Sequence, residues 1–152
     1  MPDEPFVLAS AHSLVGREIA VSGWFEVTQD HIDRFADVTD DHQWIHQEGS
    51  AARAGPFGAP IAHGLLLLSL TTKLARESGV FPIDARSCLI YGYDRIRFQR
   101  PVRTGGRVRC RTTILGVDEL GPRVMLTVRF TVDVEGETLP ALVADCRLLA
   151  TA

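Results

Sequence analysis

Gly64-Leu65-Leu66-Leu67-Leu68-Ser69-Leu70-Thr71-Thr72-Lys73-Leu74-Ala75-Arg76-Glu77 dictates how the rest of this chain must be arranged. Its first two turns are apolar nearly all round, and a helix of that profile is buried rather than amphipathic. Gly79, just past its end, suits a left-handed terminator. The run is too short to cross a bilayer, so protein must wrap around it.

The second half of the chain supplies the wrapper. Val124, Leu126, Val128, Phe130, Val132 and Val134 alternate with polar or charged neighbours such as Thr127, Arg129 and Asp133, the period of a half-buried strand. Val108, Cys110, Thr112 and Ile114 alternate with Arg107, Arg109, Arg111 and Thr113 in the same way. Ile90–Phe98 and Leu139–Leu149 read as two more strands. Gly105-Gly106, Leu120-Gly121-Pro122 and Glu135-Gly136-Glu137 punctuate them as turns. Long strands with short connections make an antiparallel sheet. Curled around one central helix, such a sheet is the α+β architecture called the hot-dog fold.

The first half is less regular. Val15–Val21 and Trp24–Val27 are short apolar stretches, and Thr28 looks like the cap of a helix over Gln29–Val38, with Asp30 in its first turn. Thr39–Pro60 is rich in Asp, His, Gly and Pro, and reads as loop with room for one more helical turn.

The 152 residues suit one domain spanning 1–152. A net charge of −3 with no long basic run excludes the footprint of a nucleic-acid binder. Met1-Pro2-Asp3-Glu4-Pro5 lacks the basic and apolar regions of a secretory signal. Cys88, Cys110 and Cys146 are odd in number and widely spaced, so they read as buried, reduced thiols of a cytoplasmic protein.

Chemistry-bearing residues concentrate in Asp40-Asp41-His42-Gln43-Trp44-Ile45-His46 and in Ala59-Pro60-Ile61-Ala62-His63-Gly64. Residues five apart lie ~140° apart on an α-helix, and on a strand they face opposite ways. Asp41 and His46 therefore converge only if the chain turns between them. A carboxylate and an imidazole that converge can hold one water. Two groups that share a water can act on it as base and acid, and a reaction that builds negative charge on an oxygen also needs donors for that oxygen. Gly64, at a buried helix start, can offer its N–H and lets a ligand come close.

The two segments together resemble the MaoC-like hydratase/dehydratase family, which includes the (R)-specific enoyl-CoA hydratases. In that family an Asp is followed five residues on by a His, and a second His-Gly opens the central helix. The wording Asp41-His42-Gln43-Trp44-Ile45-His46 is similar to the nodulation-protein-N-like branch, and the likeness runs from Val15 through Gln99-Arg100-Pro101-Val102 to the last strands. The resemblance implies Asp41 and His46 as the catalytic pair, Gly64 as donor to the thioester carbonyl, and an acyl-CoA or acyl-carrier-protein substrate. Thr72 falls where the family often has a pocket Ser, and His63 stands at the substrate site as a helix-start residue rather than a second base. Gly55-Pro56-Phe57-Gly58 reads as a turn able to present Phe57 to an acyl tunnel. A homodimer is expected, because one curled sheet leaves an unpaired edge and a half-covered helix.

Two departures from the family pattern are visible. Asp40 replaces the usual Gly before the catalytic Asp, and a second carboxylate there is expected to raise the titration of Asp41. Gln43-Trp44 replaces the frequent Asn-Pro. His42 and His46 with Asp41 suggest a zinc site at first sight, but further ligands at suitable spacing and an HExxH motif are absent, so neither metal nor cofactor is expected. The Arg97, Arg100, Arg103, Arg107, Arg109 and Arg111 series reads as a solvated sheet face with a minority available to a CoA phosphate. Thioesterases of the same fold usually carry their carboxylate on the central helix, and Gly64–Leu74 has none. A non-catalytic acyl-thioester-binding subunit is the remaining alternative; the presence of both Asp41 and His46 counts against it.

Overall fold

The computed structural model describes residues 6–151, and the acidic Met1–Pro5 segment lies outside them. A 3-10 turn at Leu8–Leu14 leads into two short strands, β1 (Glu18–Val21) and β2 (Phe25–Val27). Helices α1 (Gln29–Thr39), α2 (Ser50–Ala54) and α3 (Gly64–Glu77) come next. Four long strands complete the chain: β3 (Ser87–Phe98), β4 (Gly106–Leu120), β5 (Arg123–Val134) and β6 (Leu142–Thr151). All pair antiparallel in the order β1-β4-β5-β6-β3, and β2 also pairs with β4. The short apolar stretches Val15–Val21 and Trp24–Val27 thus complete the sheet edge beside β4.

Register shifts between Ile90 and Gly92, between Tyr93 and Arg95, and between Ile114 and Gly116 bend the sheet. Bulges of this kind increase local twist, and here they curl β3 to β6 around α3. The inner face carries Val108, Cys110, Ile114, Leu126, Phe130 and Leu148, each at most 2% exposed. Leu66, Leu67, Leu74 and Ala75 of α3 meet them in one core cluster. Burying each of these larger side chains contributes about 1.5–3 kcal/mol, so the helix is held by packing more than by propensity. Burial also pushes the Cys110 thiol up to about 12 and the Cys146 thiol to about 11.

Helix α3 is only partly covered, as a single curled sheet leads one to expect: Leu65 is 58% exposed. Two expectations need correction. The last strand begins at Leu142 rather than Leu139, because Pro140 has no N–H for the ladder and Leu139 stays exposed. The arginine face is mostly neutralised by its own carboxylates: Arg107 with Glu135, Arg109 and Arg111 with Asp133, Arg111 with Glu18, and Arg100 with Glu137.

Helix α1 aims the loop that carries Asp41. Thr28 accepts from the His31 N–H while its own N–H donates to His31 Nδ1, a capping box with His in the usual Glu position. At the other end Asp40 adopts the left-handed conformation with φ 56°. The Asp40 and Asp41 N–H groups both turn back onto the Ala36 carbonyl. That reversal throws Asp41 off the helix and toward the start of α3.

Candidate active site

Backbone hydrogen bonds bring the two sequence segments together. The Ile61 N–H donates to the Ile45 carbonyl at 2.9 Å, and the His46 N–H closes a turn on the Gln43 carbonyl at 2.9 Å. Gln29 of α1 donates its side-chain amide to the His46 carbonyl at 2.8 Å. The His46 ring then lies with Nδ1 2.7 Å from the Ile61 carbonyl oxygen. A carbonyl only accepts, so Nδ1 carries the proton and Nε2 keeps its lone pair. His63, in the capping position ahead of α3, points Nε2 at the Asp41 carbonyl oxygen, 3.0 Å away. Its ring stacks on that of His46 with centroids 3.6 Å apart, and Phe35 packs on it at 5.1 Å.

The turn that convergence required is therefore present. Asp41, His46 and His63 each bring one side-chain ligand atom within 4.8 Å of the others. The Gln43 side-chain amide, donating to Asp41 Oδ1 at 3.1 Å, holds that carboxyl below the ordinary carboxylate range. Nearby His63 and His46 act in the same direction, against a desolvation cost. Burial pushes the His46 imidazole below its usual value, with His63 adding to the shift and the Ile61 carbonyl opposing it. Near neutral pH the arrangement is an ionised carboxylate beside a neutral imidazole.

The expected upward shift of Asp41 is corrected. The Asp40 side chain is fully solvated and lies 4.0 Å from His42, and it is not among the groups that set Asp41. His42 faces Asp37 and Asp40 rather than His46, so the His42–His46 grouping does not form. The Asp41, His46 and His63 set has the spacing of a metal site, but two imidazole planes inclined by only 24° aim poorly at one ion. His63 Nε2 is also already engaged by the Asp41 carbonyl.

Gly64 and His46 line a common pocket with Leu67, Phe98, Gln99 and Arg100. The Phe98 ring covers Gly64 so closely that an added Cβ would meet it at 3.0 Å. Phe57 lines an adjoining recess instead, which shares Arg100 and Pro101 with the pocket. Thr72 does not join these residues; eight positions along α3 from Gly64 is about 12 Å of helix. Sequence reasoning missed Phe98 over Gly64 and the Ile61 carbonyl, since neither carries a motif. Gln43, at the position where the family frequently has Asn, contacts Asp41.

Residues 10–136 match the family model described as MaoC like domain. The chain belongs to the MaoC-like hydratase/dehydratase family. Relatives in this lyase family include the 3-hydroxyacyl-thioester dehydratase Z of Mycobacterium tuberculosis, 40% identical over 139 residues and covering 91% of each chain. Nodulation protein N of Rhizobium leguminosarum bv. viciae is 43% identical over 141 residues, covering 91% of this chain and 87% of that one. Among solved structures, the monoamine oxidase regulatory protein from Archaeoglobus fulgius superposes with a TM-score of 0.77 at 24% identity, covering 87% of both chains. The (R)-hydratase from A. caviae involved in PHA biosynthesis does so with 0.69 at 22% identity, covering 88% of this chain and 94% of that one. At these identities the superpositions establish the hot-dog fold alone. No helix among the described residues is long and apolar enough to cross a membrane.

Proposed function

We propose that this MaoC-like protein is an (R)-specific enoyl-CoA hydratase, reversibly adding water to trans-2-enoyl-CoA to give (3R)-3-hydroxyacyl-CoA. The observation that carries the reading is the pairing of an ionised Asp41 with a neutral His46 whose Nδ1–H is bound to Ile61. Both offer lone pairs, so both accept from one water. Two hydrogen bonds of ~2.8 Å at a water span about 4.5 Å, which falls within the 4.8 Å that bounds the spacing of one ligand atom from each group.

In the proposed reaction the water oxygen bonds to C3 as the C2–C3 double bond shifts its electrons toward the thioester carbonyl. The water's proton passes to the Asp41–His46 pair. The Gly64 N–H, at the positive end of α3, donates to the thioester oxygen where enolate charge develops. The proton then moves from the pair to C2, the carbonyl reforms, and the pair regains its starting charge. Dehydration is the same path reversed.

The name of one relative bears on the substrate: it is a dehydratase of 3-hydroxyacyl thioesters, which fits the reverse direction. The proposed carrier is CoA, with acyl carrier protein as the competing donor of the same thioester. The protein is proposed to work as a homodimer. Edge strand β3 leaves Leu89, Ile90 and Tyr91 exposed, an unpaired apolar edge that a second copy would cover. Mixing the protein with crotonyl-CoA and octenoyl-CoA and following loss of the conjugated enoyl absorbance tests the activity. Chiral analysis of the product tests the (3R) assignment. An unchanged absorbance with every chain length would overturn it.

A further inference from the structure

We propose that His63 is a positioning residue that holds both members of the Asp41–His46 pair, fixing Asp41 through its Nε2–H and His46 through its ring face. The inference rests on the hydratase reading for its kinetic consequences, while its structural consequences stand alone. His63 is only 4% exposed although it occupies the capping position of α3, where a side chain normally turns back onto the helix N–H groups. It makes no such bond. The Nε2 atom instead reaches the Asp41 carbonyl oxygen at 3.0 Å and stands 3.9 Å from Asp41 Oδ2.

A ring in a mainly structural role would be expected to satisfy both nitrogens. Here Nδ1 is buried and has no hydrogen-bond partner among the described residues. Buried polar atoms are rarely left so, and those that are call for an explanation. The stack accounts for it: with Phe35 on it at 5.1 Å and His46 at 3.6 Å, the ring cannot rotate to satisfy Nδ1 without releasing Asp41 or His46. Asp41 sits at the open end of α1, on a left-handed turn, and needs an outside partner to keep its direction. His63 supplies that partner from a rigid helix start, 22 residues away in sequence.

The same ring bears on the protonation of His46. The charged or titratable groups that face His46 are Asp41 from its own loop, His63 from the start of α3, and Arg100 from the segment after β3 that lines the same pocket. Helix α1 presents the neutral amide of Gln29 to the His46 carbonyl. Two imidazoles 3.6 Å apart resist carrying two charges, so His63 helps to keep His46 neutral. Removing it raises the pH at which His46 takes up a proton, and Asp41 moves in the same direction.

Two substitutions separate the functions. His63→Phe keeps a ring and removes the donor; His63→Gln keeps a donor and removes the ring. Each is expected to lower kcat about 10–100-fold, the scale of a misdirected catalytic group, with KM changed by less than about threefold. In His63→Phe the acidic limb of the pH–rate profile, and the His46 midpoint followed by histidine-selective NMR, should both move to higher pH. The NMR midpoint needs no turnover, so it reports on the coupling even if the wild type hydrates no enoyl thioester. Wild-type kcat in both variants together with an unmoved His46 midpoint would overturn the proposal. If His63→Phe fails to fold, His63→Gln carries the same kinetic test and His46 should still titrate at higher pH.

Discussion

The Nδ1 atom of His46 lies 2.7 Å from the carbonyl oxygen of Ile61, and that bond decides which nitrogen of the ring is available to a substrate. Ile61 is pinned in turn by its N–H to Ile45. The loop that carries His46 and the segment that opens α3 therefore fix each other, and Asp41 is added to the same knot by His63.

Asp41→Asn and His46→Ala are each expected to lower hydration roughly 10²–10⁴-fold, the usual range for a positioned acid or base. Asp41→Asn preserves shape and most hydrogen bonds, so its loss reports charge. Steady-state assays on crotonyl-CoA check both, with circular dichroism to establish folding. Near wild-type turnover in either variant would remove that residue from the pair.

Gly64→Ala separates stability from activity. The new methyl meets Phe98 at 3.0 Å, but Phe98 is 49% exposed at a sheet edge and its ring can swing aside. Ala also favours the helix by about 0.8–1 kcal/mol over Gly at interior positions, less at a terminus. The expected net change in stability is below about 1 kcal/mol. Turnover should fall by at least tenfold, because the methyl and the displaced ring stand where the thioester oxygen must approach the N–H. A thermal melt paired with kinetics checks this; a fully active variant would show that the thioester oxygen does not approach through the space beside the Gly64 Cα.

Asp40→Gly is expected to stabilise the protein and leave the pH–rate profile in place. Asp40 holds φ 56°, a region costing roughly 1–2 kcal/mol for a residue with a Cβ, offset in part by the extra freedom of Gly when unfolded. Its carboxylate also stands at the negative end of α1. A gain of about 0.5–1 kcal/mol should appear in urea unfolding. A downward move of the acidic limb would restore the carboxylate coupling that the solvated Asp40 side chain argues against.

Much of this was legible in the sequence. Strict alternation in β4 and β5 and the leucine run of α3 gave the sheet, the helix and their relation, since period and apolar content leave few packings. Asp41, His46 and Gly64 were legible because ordered spacing near a helix start is a chemical pattern. Phe98 was not, because nothing local says that the end of β3 crosses over Gly64. His63 looked like a helix-start residue, and its stacking on His46 depends on the Ile45–Ile61 pairing. The half-covered face of α3 was legible from a single curled sheet, but which residue lies on it was not, because Leu65 is as apolar as its buried neighbours.

Stability should fall on mild acidification, with His46 as a main cause. Burial holds its folded value below the usual ~6.5, so between that folded value and ~6.5 the unfolded chain binds the proton and the folded chain does not. The contribution is fully present above ~6.5 and is lost as pH falls through the folded value. Asp41, also lowered, acts with the same sign but only below ~3.9. His46→Gln removes the titrating group, so the slope of unfolding free energy just below pH ~6.5 should flatten. Urea midpoints measured across that window decide it, and an unchanged slope would assign the acid sensitivity elsewhere.

The edge of β3 carries the last expectation, which belongs to the proposed homodimer. Leu89 and Tyr91 are 62% and 73% exposed, with Tyr91 at the register shift between Ile90 and Gly92. Among the described residues the outer side of β3 has no partner in the sheet order, leaving an edge open to pairing. Antiparallel pairing with a second β3 would satisfy both the ladder and the apolar side chains, and would give one continuous sheet across two copies. Leu89→Lys combined with Tyr91→Lys puts like charges on both edge strands of such a pairing while leaving the inner core untouched. Light scattering should give twice the chain mass for the wild type at micromolar concentration and the single mass for the double variant. A wild type that scatters as a monomer would overturn the homodimer, and a double variant that remains dimeric would move the interface off β3.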